Sequence, residues 1–508
     1  MFAIAALGTG ACLAQSDAGD PIDTPSEGST AQAISGGAIE AGDMYGYAVA
    51  AGDFDGDGIQ DLAIGAPGEK PGSGKQTGSV FIYKGGTNGM SLENIINEAD
   101  IKGATVGNGD QFGFALAVVP GPGSAKAQLI IGAPGGQTSG AASSSGVVYV
   151  LQGGTNGPNP ALPTILGQTR DGVGVSETGD QFGASVAYSG GLLAVGVPGE
   201  LHGGTIGYVN TYTLASNRWT AGPGLDAPSA GHGSWGHTVA VGNFNGDHYL
   251  DVAAATDDNH TTSLYAVQPD PDHLDGTGAI AIYPGTSSGF GPAIVVTDPG
   301  NAGGDAFGWS LAVGQFDGNA TGTAQQLAVG SPGFSRTGSV SANGRVYVLT
   351  FSPTWGRQTW VMTSSSGANF GTSLAAGRLT STTQPLDDLV TDLLLPGPGQ
   401  LVVLSDSAGG VAGRLSVQSK NTPMAAFTSG GEVSEQWALS ACIGRFTSAS
   451  GSSPAGVVTG DWNTTIFLSY DGGNANEPED LAGAATQYIP VGTDQFPLSR
   501  LWDEAMAD

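Results

Sequence analysis

Short apolar runs separated by glycine-rich turns dominate the chain. Examples are SVFIY at 79–83, VVYVL at 147–151, AIAIY at 279–283 and RVYVL at 345–349. Runs of this length, rich in β-branched and aromatic residues and bounded by turn residues, predict strands rather than helices. Glycine reaches 87 of 508 residues while 39% of residues remain hydrophobic, so the pattern indicates a folded all-β chain rather than a disordered one.

A repeated series of landmarks organises these strands. Each copy opens with an aromatic residue, usually followed by glycine: Tyr45, Phe112, Phe182, Trp235, Phe307, Phe370 and Trp437. A Gly-Ala-Pro-like turn follows at 65–68, 132–135, 196–199, 330–333 and 396–399, with worn copies at 253–257 and 457–460. An apolar strand comes next, and a weaker fourth strand precedes the next aromatic, as in ADIKG, TILGQ and IVVTD. The unit is therefore four short strands, repeated seven times.

Tandem four-stranded units predict a β-propeller, because a small sheet cannot bury both faces without stacking on neighbours. We predict an all-β fold, a seven-bladed β-propeller of four-stranded blades over residues 31–480. No good fourth strand follows TIFLSY at 465–470, whereas AQAISG at 31–36 precedes the first landmark. We therefore expect this N-terminal strand to complete the last blade and remove two exposed edges. The tail at 481–508 has no assigned role.

An acidic loop, DFDGDGIQD at 53–61, precedes the second strand of the first repeat. It concentrates four carboxylates on a glycine turn: Asp53, Asp55, Asp57 and Asp61. These charges repel one another unless a cation lies among them, and hard oxygen ligands suit Ca²⁺. An EF-hand loop would require glutamate at its twelfth position, where Ile64 stands, and Gly-Ala-Pro would stop the following helix. The sequence predicts a calcium-type loop that leads into a strand.

Together, the aromatic-glycine motif, this loop and Gly-Ala-Pro resemble the FG-GAP repeats of integrin α-subunit propellers and their bacterial relatives, over roughly 31–475. The resemblance implies calcium ligation by the side chains of Asp53, Asp55, Asp57 and Asp61 and by the carbonyl of Ile59. It implies a second site in NFNGDHYLD, with Asn243, Asn245, Asp247, Asp251 and the carbonyl of Tyr249. Two carboxylates are amides there and His248 replaces glycine, so we expect weaker binding.

The net charge limits the possible binding partners, and the N-terminal segment indicates where the protein is located. With 15 Lys+Arg against 45 Asp+Glu, the net charge of −30 argues against nucleic acid or an anionic membrane as a partner. The apolar start at 1–16 and the acidic stretch to 30 resemble an export signal and a linker. Cys12 is a candidate lipid-anchor site, although secretion is the preferred prediction. Extracellular or cell-surface localisation follows from this interpretation.

Two functions remain open. The favoured one is an exported calcium-binding module that binds a protein or glycan on one face, since the resemblance to integrins implies adhesion. The chain contains no HExxH, P-loop or CxxC signature, so we expect no enzyme. The alternative is a carbohydrate- or lipid-active enzyme, or its accessory domain, because such repeats also occur beside catalytic domains. The insert at 256–278, with His260 and His273, would support that alternative only if these side chains clustered in a cleft.

Overall fold

A computed structural model describes the central part of the chain and separate strands on either side. Described are residues 43–377, with gaps at 73, 87–89, 122–124, 229–232, 257–277, 299–304, 317–323, 333–343, 356 and 364–370. Further described strands are Phe2–Ala6, Ala11–Gln15, Asp388–Leu393, Gln400–Leu404, Leu415–Ser419, Ser440–Gly444, Gly456–Asp461, Ala484–Tyr488 and Leu498–Asp503.

Seven antiparallel sheets succeed one another in the described part of the chain, and hydrogen bonding within each follows chain order. Sheet 1 comprises Ala48–Gly52, Asp61–Ala66, Ser79–Lys84 and Ser91–Asn97. Sheet 2 comprises Ala115–Val119, Gln128–Ala133, Val147–Gly154 and Gly157–Leu166. Sheet 3 comprises Ser185–Ser189, Leu192–His202, Thr205–Ala215 and Arg218–Ala221, with Leu225–Asp226 added to its third strand.

The remaining four sheets repeat this order. Sheet 4 comprises Thr238–Gly242, Asp251–Thr256, Ala279–Tyr283 and Ile294–Thr297. Sheet 5 comprises Leu311–Gly314, Gln326–Ser331, Arg345–Phe351 and Arg357–Thr363. Sheet 6 comprises Leu374–Gly377 and the three strands between 388 and 419, and sheet 7 comprises the last four described strands.

Other regular elements are few and short. A hairpin joins Phe2–Ala6 to Ala11–Gln15, and a smaller one joins Gly285–Thr286 to Gly289–Phe290. In the described residues the helical elements are a 3₁₀ turn at Glu98–Asp100 and one α-helical turn at Gln168–Asp171. The multiple four-stranded antiparallel sheets and the near absence of helix confirm the predicted all-β class.

The last sheet differs from the prediction. Its third and fourth strands are Ala484–Tyr488 and Leu498–Asp503, which pair as a hairpin within the segment predicted to be a tail. The expectation that an N-terminal strand completes this sheet is therefore wrong, because a segment close in sequence already occupies the outer edge. The segments 31–36 and 465–470, on which that expectation rested, lie outside the described residues.

The fourth strand of sheet 1 also lies earlier than expected. SLENIIN forms Ser91–Asn97, whereas the predicted ADIKG segment begins in the 3₁₀ turn. The alternating exposure of this strand fits a sheet edge with one face towards solvent. The described strands around TILGQ and IVVTD do fall where the repeat predicted a fourth strand.

Glycines of two landmarks bring consecutive sheets into contact. A Cβ on Gly65 of sheet 1 would lie 2.0 Å from the carbonyl oxygen of Gly113, at the start of sheet 2. Three further pairs show the same approach at 1.9–2.1 Å: Gly132 with Gly183, Gly196 with Gly236 and Gly330 with Gly371. No side chain fits at these positions. The aromatic-glycine and Gly-Ala-Pro landmarks therefore meet across each of these sheet junctions, where they act as packing elements.

Aromatic rings and carboxyl groups fill the space beside these glycines. Phe112 packs edge-on against Tyr149 at 5.7 Å between ring centroids, and Phe307 packs similarly on Tyr347 at 5.1 Å. The tyrosine then donates a hydrogen bond to an acid beyond the fourth strand of the preceding sheet. Tyr149 reaches Glu98 at 2.6 Å, and Tyr212 and Tyr347 make the equivalent bonds to Asp171 and Asp298. Each bond links two consecutive sheets; the Tyr149 and Tyr347 bonds are buried, and the Tyr212 bond is partly buried.

Glu98 lies in a junction that is closed to water. Its side chain is buried, and its Oε1 accepts the hydroxyl of Tyr149 at 2.6 Å. Burial first, and then the neighbouring Asp110, raise the pKa of Glu98 to about 9, while the hydrogen bond from Tyr149 lowers it. Glu98 therefore holds a proton at neutral pH.

Replacing Gly132 by alanine tests the glycine contact. The new Cβ would lie 2.1 Å from the carbonyl oxygen of Gly183, so the two sheets must separate, and we expect a loss of about 3 kcal/mol or more. The control is Gly233→Ala, where a Cβ meets nothing within 4 Å. Urea unfolding of both variants measures the difference, and equal stabilities would contradict the packing role.

Replacing Glu98 by glutamine tests the buried proton. The unfolded chain releases this proton near pH 4.5, whereas the folded chain keeps it until about pH 9. The unfolding free energy should therefore fall as pH rises between these values, by up to about 1.4 kcal/mol per pH unit for this group. Urea unfolding in chelator from pH 5 to 8.5 should show a shallower slope for Glu98→Gln. The exposed control Glu93→Gln should keep the wild-type slope.

Candidate metal site

The acidic loop joins the first two strands of sheet 1 and is anchored in sheet 2. Phe54 is buried in a cluster that includes Val118 and Leu129, and Ala127 donates its backbone N–H to the carbonyl of Asp53 at 2.7 Å. Gly56 and Gly58 adopt positive φ values of 81° and 89°, which lets the chain reverse without strain. The loop is therefore fixed by two sheets rather than loose on the surface.

Carboxylates fold back onto the backbone of this loop. Asp53 accepts the N–H groups of Gly56 at 2.7 Å and Gly58 at 2.9 Å. Asp55 accepts the N–H of Asp57 at 3.1 Å, and Asp57 accepts that of Ile59 at 2.9 Å. Satisfying the backbone in this way turns the side chains inward, so the local hydrogen bonds bring the negative charges together.

Asp61 closes the cluster from the start of the second strand. It is nearly fully buried and accepts the N–H of Phe54 at 2.9 Å and that of Gly85 at 3.0 Å. Burial raises the pKa of Asp61 to about 7; these two donors lower it, and Asp53 and Asp57 raise it. One carboxylate oxygen each from Asp53, Asp55 and Asp61 lies within 4.8 Å of the others. The structure thus brings three of the four predicted carboxylates around one point.

A lysine lies between the cluster and the fourth carboxylate, that of Asp57. Lys84, the last residue of the third strand, contacts Asp55 with its ammonium group and lies 2.8 Å from Oδ2 of Asp57. The sequence analysis did not select this residue. Strand register supplies a signal: Leu62 pairs with Tyr83, so the next residue on the third strand lies opposite Asp61.

The oxygen set fits a hard divalent cation. The loop carries the carboxylates of four aspartates. Each carboxylate oxygen that accepts one N–H retains a lone pair that a metal ion could use. The N–H of Ile59 is placed by Asp57, while ligation by its carbonyl stays a prediction. Calcium at this loop would be held by Asp53, Asp55, Asp57 and Asp61, and would offset the mutual repulsion of their charges.

The loop of sheet 4 repeats the backbone scaffold with half the acids. Asn243 accepts the N–H of Gly246 at 2.7 Å, and Asp251 accepts those of Phe244 and Gly285 at 2.8 Å each. Burial raises the pKa of Asp251 to about 6. His248 takes the positive φ of the second glycine, at 84°. The five predicted residues lie in one loop, but only Asp247 and Asp251 carry charge.

In the sheet 4 loop, the amide of Asn245 stands where the first loop has the carboxylate of Asp55. Asn245 donates its Nδ2 to Oδ2 of Asp247 at 2.8 Å and accepts the N–H of the same residue at 3.0 Å. Asp247 also accepts the N–H of Tyr249, whose side chain is exposed. The loop is therefore folded through internal hydrogen bonds, and metal binding there stays a prediction.

The equivalent of Asp61 in sheet 5 shows which part of its role requires a charge. Gln326 occupies the place of Asp61 and accepts the N–H of Phe316 at 2.6 Å with an amide oxygen. A neutral group thus satisfies the same backbone donor. The backbone hydrogen bond at the place of Asp61 therefore does not require a negative charge. Asp317, the remaining acid of this copy, lies outside the described residues.

The repeated four-stranded antiparallel sheets define the chain as a protein of the β-propeller class. Residues 45–83 match the FG-GAP repeat family, from the first aromatic landmark to the end of the apolar third strand. This part of the chain therefore contains an FG-GAP repeat, as the resemblance predicted.

A comparison with solved structures adds one distant likeness. A chain described as "Structure of Dos1 propeller" matches with a TM-score of 0.36 and 12% sequence identity, over 78% of this chain and 86% of that chain. A similarity this low says nothing about ligands. Among the described residues, no helix has the length and apolar character needed to cross a bilayer.

Paired substitutions in the first loop test the division of roles. In chelator, Asp61→Ala leaves the buried N–H groups of Phe54 and Gly85 without acceptors, and should cost about 2–4 kcal/mol. Asp57→Ala removes a more exposed carboxylate and relieves repulsion, so it should cost less than about 1 kcal/mol. Urea unfolding measures both. Equal costs would contradict the assignment of Asp61 as the structural acceptor.

Proposed function

We propose that the chain is an exported, calcium-stabilised, seven-bladed β-propeller that acts as a binding module for a protein or glycan ligand. The observation that carries this proposal is the convergence of Asp53, Asp55 and Asp61 in a rigid loop of an FG-GAP repeat. Calcium is structural in this proposal: it neutralises the loop and holds the hairpin. A lipid anchor at Cys12 and extracellular localisation belong to the same proposal.

Contacts between innermost strands support a closed ring. The first strand of each sheet contacts the first strand of the next, and Ser440–Gly444 of sheet 7 contacts Ala48–Gly52 of sheet 1. These strands are rich in alanine and glycine and buried where side chains are described. Small residues allow several strands to crowd around one axis. Closure of seven blades accounts for both features.

Strand direction assigns the loops to two rims. Connections between first and second strands, including both acidic loops, lie at one rim, because neighbouring strands are antiparallel. Connections between second and third strands lie at the other rim, and these include 67–78 and 134–146. Loops on a rigid scaffold are the usual place for ligand contacts. The proposed ligand face is therefore the rim opposite the acidic loops.

Exposed apolar side chains mark that rim. Leu201 and Ile206 are cross-strand partners near the tip of the long hairpin of sheet 3, with 62% and 48% of their surface exposed. Val175, in the connection that follows sheet 2, is 72% exposed. The contact of His202 Nδ1 with Asp226 Oδ1, at 2.6 Å, adds polar groups beside them. An apolar tip with polar neighbours suits a protein or glycan surface.

The insert at 257–277, with His260 and His273, lies outside the described residues. The enzyme alternative therefore gains no support from the described part of the chain.

A binding array of polysaccharides and extracellular proteins, probed with calcium and with chelator, tests the proposed function. We expect a calcium-dependent ligand whose binding is lost in the double variant Leu201→Ser/Ile206→Ser. Leu162→Ser is the matched control, since Leu162 is 62% exposed on the outer strand of sheet 2 rather than at the rim. Failure of the folded protein to bind any ligand would overturn the proposal, and equal binding by both variants would overturn the assigned face.

A further inference from the structure

The two acidic loops balance their charges differently. The first loop carries Asp53, Asp55, Asp57 and Asp61, whereas the second carries only Asp247 and Asp251 at the corresponding places. Both have the same backbone hydrogen bonds, from the phenylalanine N–H and from a glycine N–H after the third strand. The first loop therefore needs compensation for two more negative charges within the same scaffold.

Lys84 supplies part of that compensation. Its ammonium group contacts both Asp55 and Asp57. The equivalent positions in the second loop are Asn245 and Asp247. The neighbouring Gly85 is held by Asp61, so the lysine is fixed at the edge of the loop through its backbone. Its side chain is 36% exposed, which leaves the ammonium group a path to solvent.

The second loop lacks this cation. Pro284 stands before Gly285, in the place that Lys84 holds before Gly85. The amide of Asn245 donates to Asp247 at 2.8 Å instead. A neutral donor suffices there because one of the two facing side chains is no longer charged. The two loops thus solve the same electrostatic problem by a counter-cation in one case and by amide substitution in the other.

We propose that Lys84 is a resident counter-cation of the first loop, which it neutralises in the absence of metal and leaves when a divalent cation binds. The proposal rests on the calcium site proposed above. The ammonium group contacts Asp55, whose carboxylate belongs to the candidate metal cluster, so the lysine and a metal ion would compete for this carboxylate. Lys84 therefore lowers the metal affinity of the loop and keeps the metal-free loop folded.

Calcium titration calorimetry and thermal unfolding of Lys84→Met test this exchange. We expect calcium to bind the variant roughly two- to fivefold more tightly than wild type, the range of one partly exposed ion pair. In chelator the variant should melt at a lower temperature than wild type, and saturating calcium should remove this difference. Asp53→Ala identifies the share of calcium binding that belongs to the first loop.

Lys102→Met is the matched control, because it removes an exposed lysine beyond the opposite end of sheet 1. If Lys84→Met binds calcium with wild-type affinity and melts without metal at the same temperature as the control, the proposed role of Lys84 is overturned. The calcium site itself then still stands. Absence of calcium binding at the first loop of wild type overturns the site itself, and the exchange with it.

Discussion

The close approach of glycine backbones between consecutive sheets is the contact on which the rest of the structure depends. A four-stranded sheet alone leaves two apolar faces in water, and only stacking on its neighbours covers them. The approach of Gly65 to Gly113 sets the spacing, because any side chain there would collide with a carbonyl oxygen. Phe112 and Tyr149 then fill the space on one side. Buried acids such as Glu98 tie the outer strands to the next sheet.

This spacing also places the acidic loop. Phe54 and the carbonyl of Asp53 are held by the second sheet, so the carboxylates that satisfy the loop backbone are forced together. The amide of Gln326 performs the same backbone task without charge. The backbone therefore does not require a charge at Asp61, and the calcium site proposed above would account for it. In the proposed function, a loop stiffened at one rim supports a scaffold whose opposite rim presents the ligand contacts.

Much of this architecture could be predicted from sequence because the landmarks repeat. The spacing of Tyr45, Phe112 and their successors indicated the sheets, and the alternating aspartates indicated the first loop. Lys84 was missed because its contact depends on strand register rather than on sequence proximity. The last sheet was assigned incorrectly because its landmarks are worn, and a local hairpin replaced the expected N-terminal strand. The proton on Glu98 required burial to be known.

A crystal structure of the full chain grown with calcium, with an anomalous difference map, tests the central claim most directly. The account predicts a peak coordinated by Asp53, Asp55, Asp57 and Asp61, with the ammonium group of Lys84 turned away from Asp55 and Asp57. It also predicts an unchanged contact between Gly65 and Gly113. The account would be contradicted if, at saturating calcium, the loop showed no peak and Lys84 still contacted both Asp55 and Asp57.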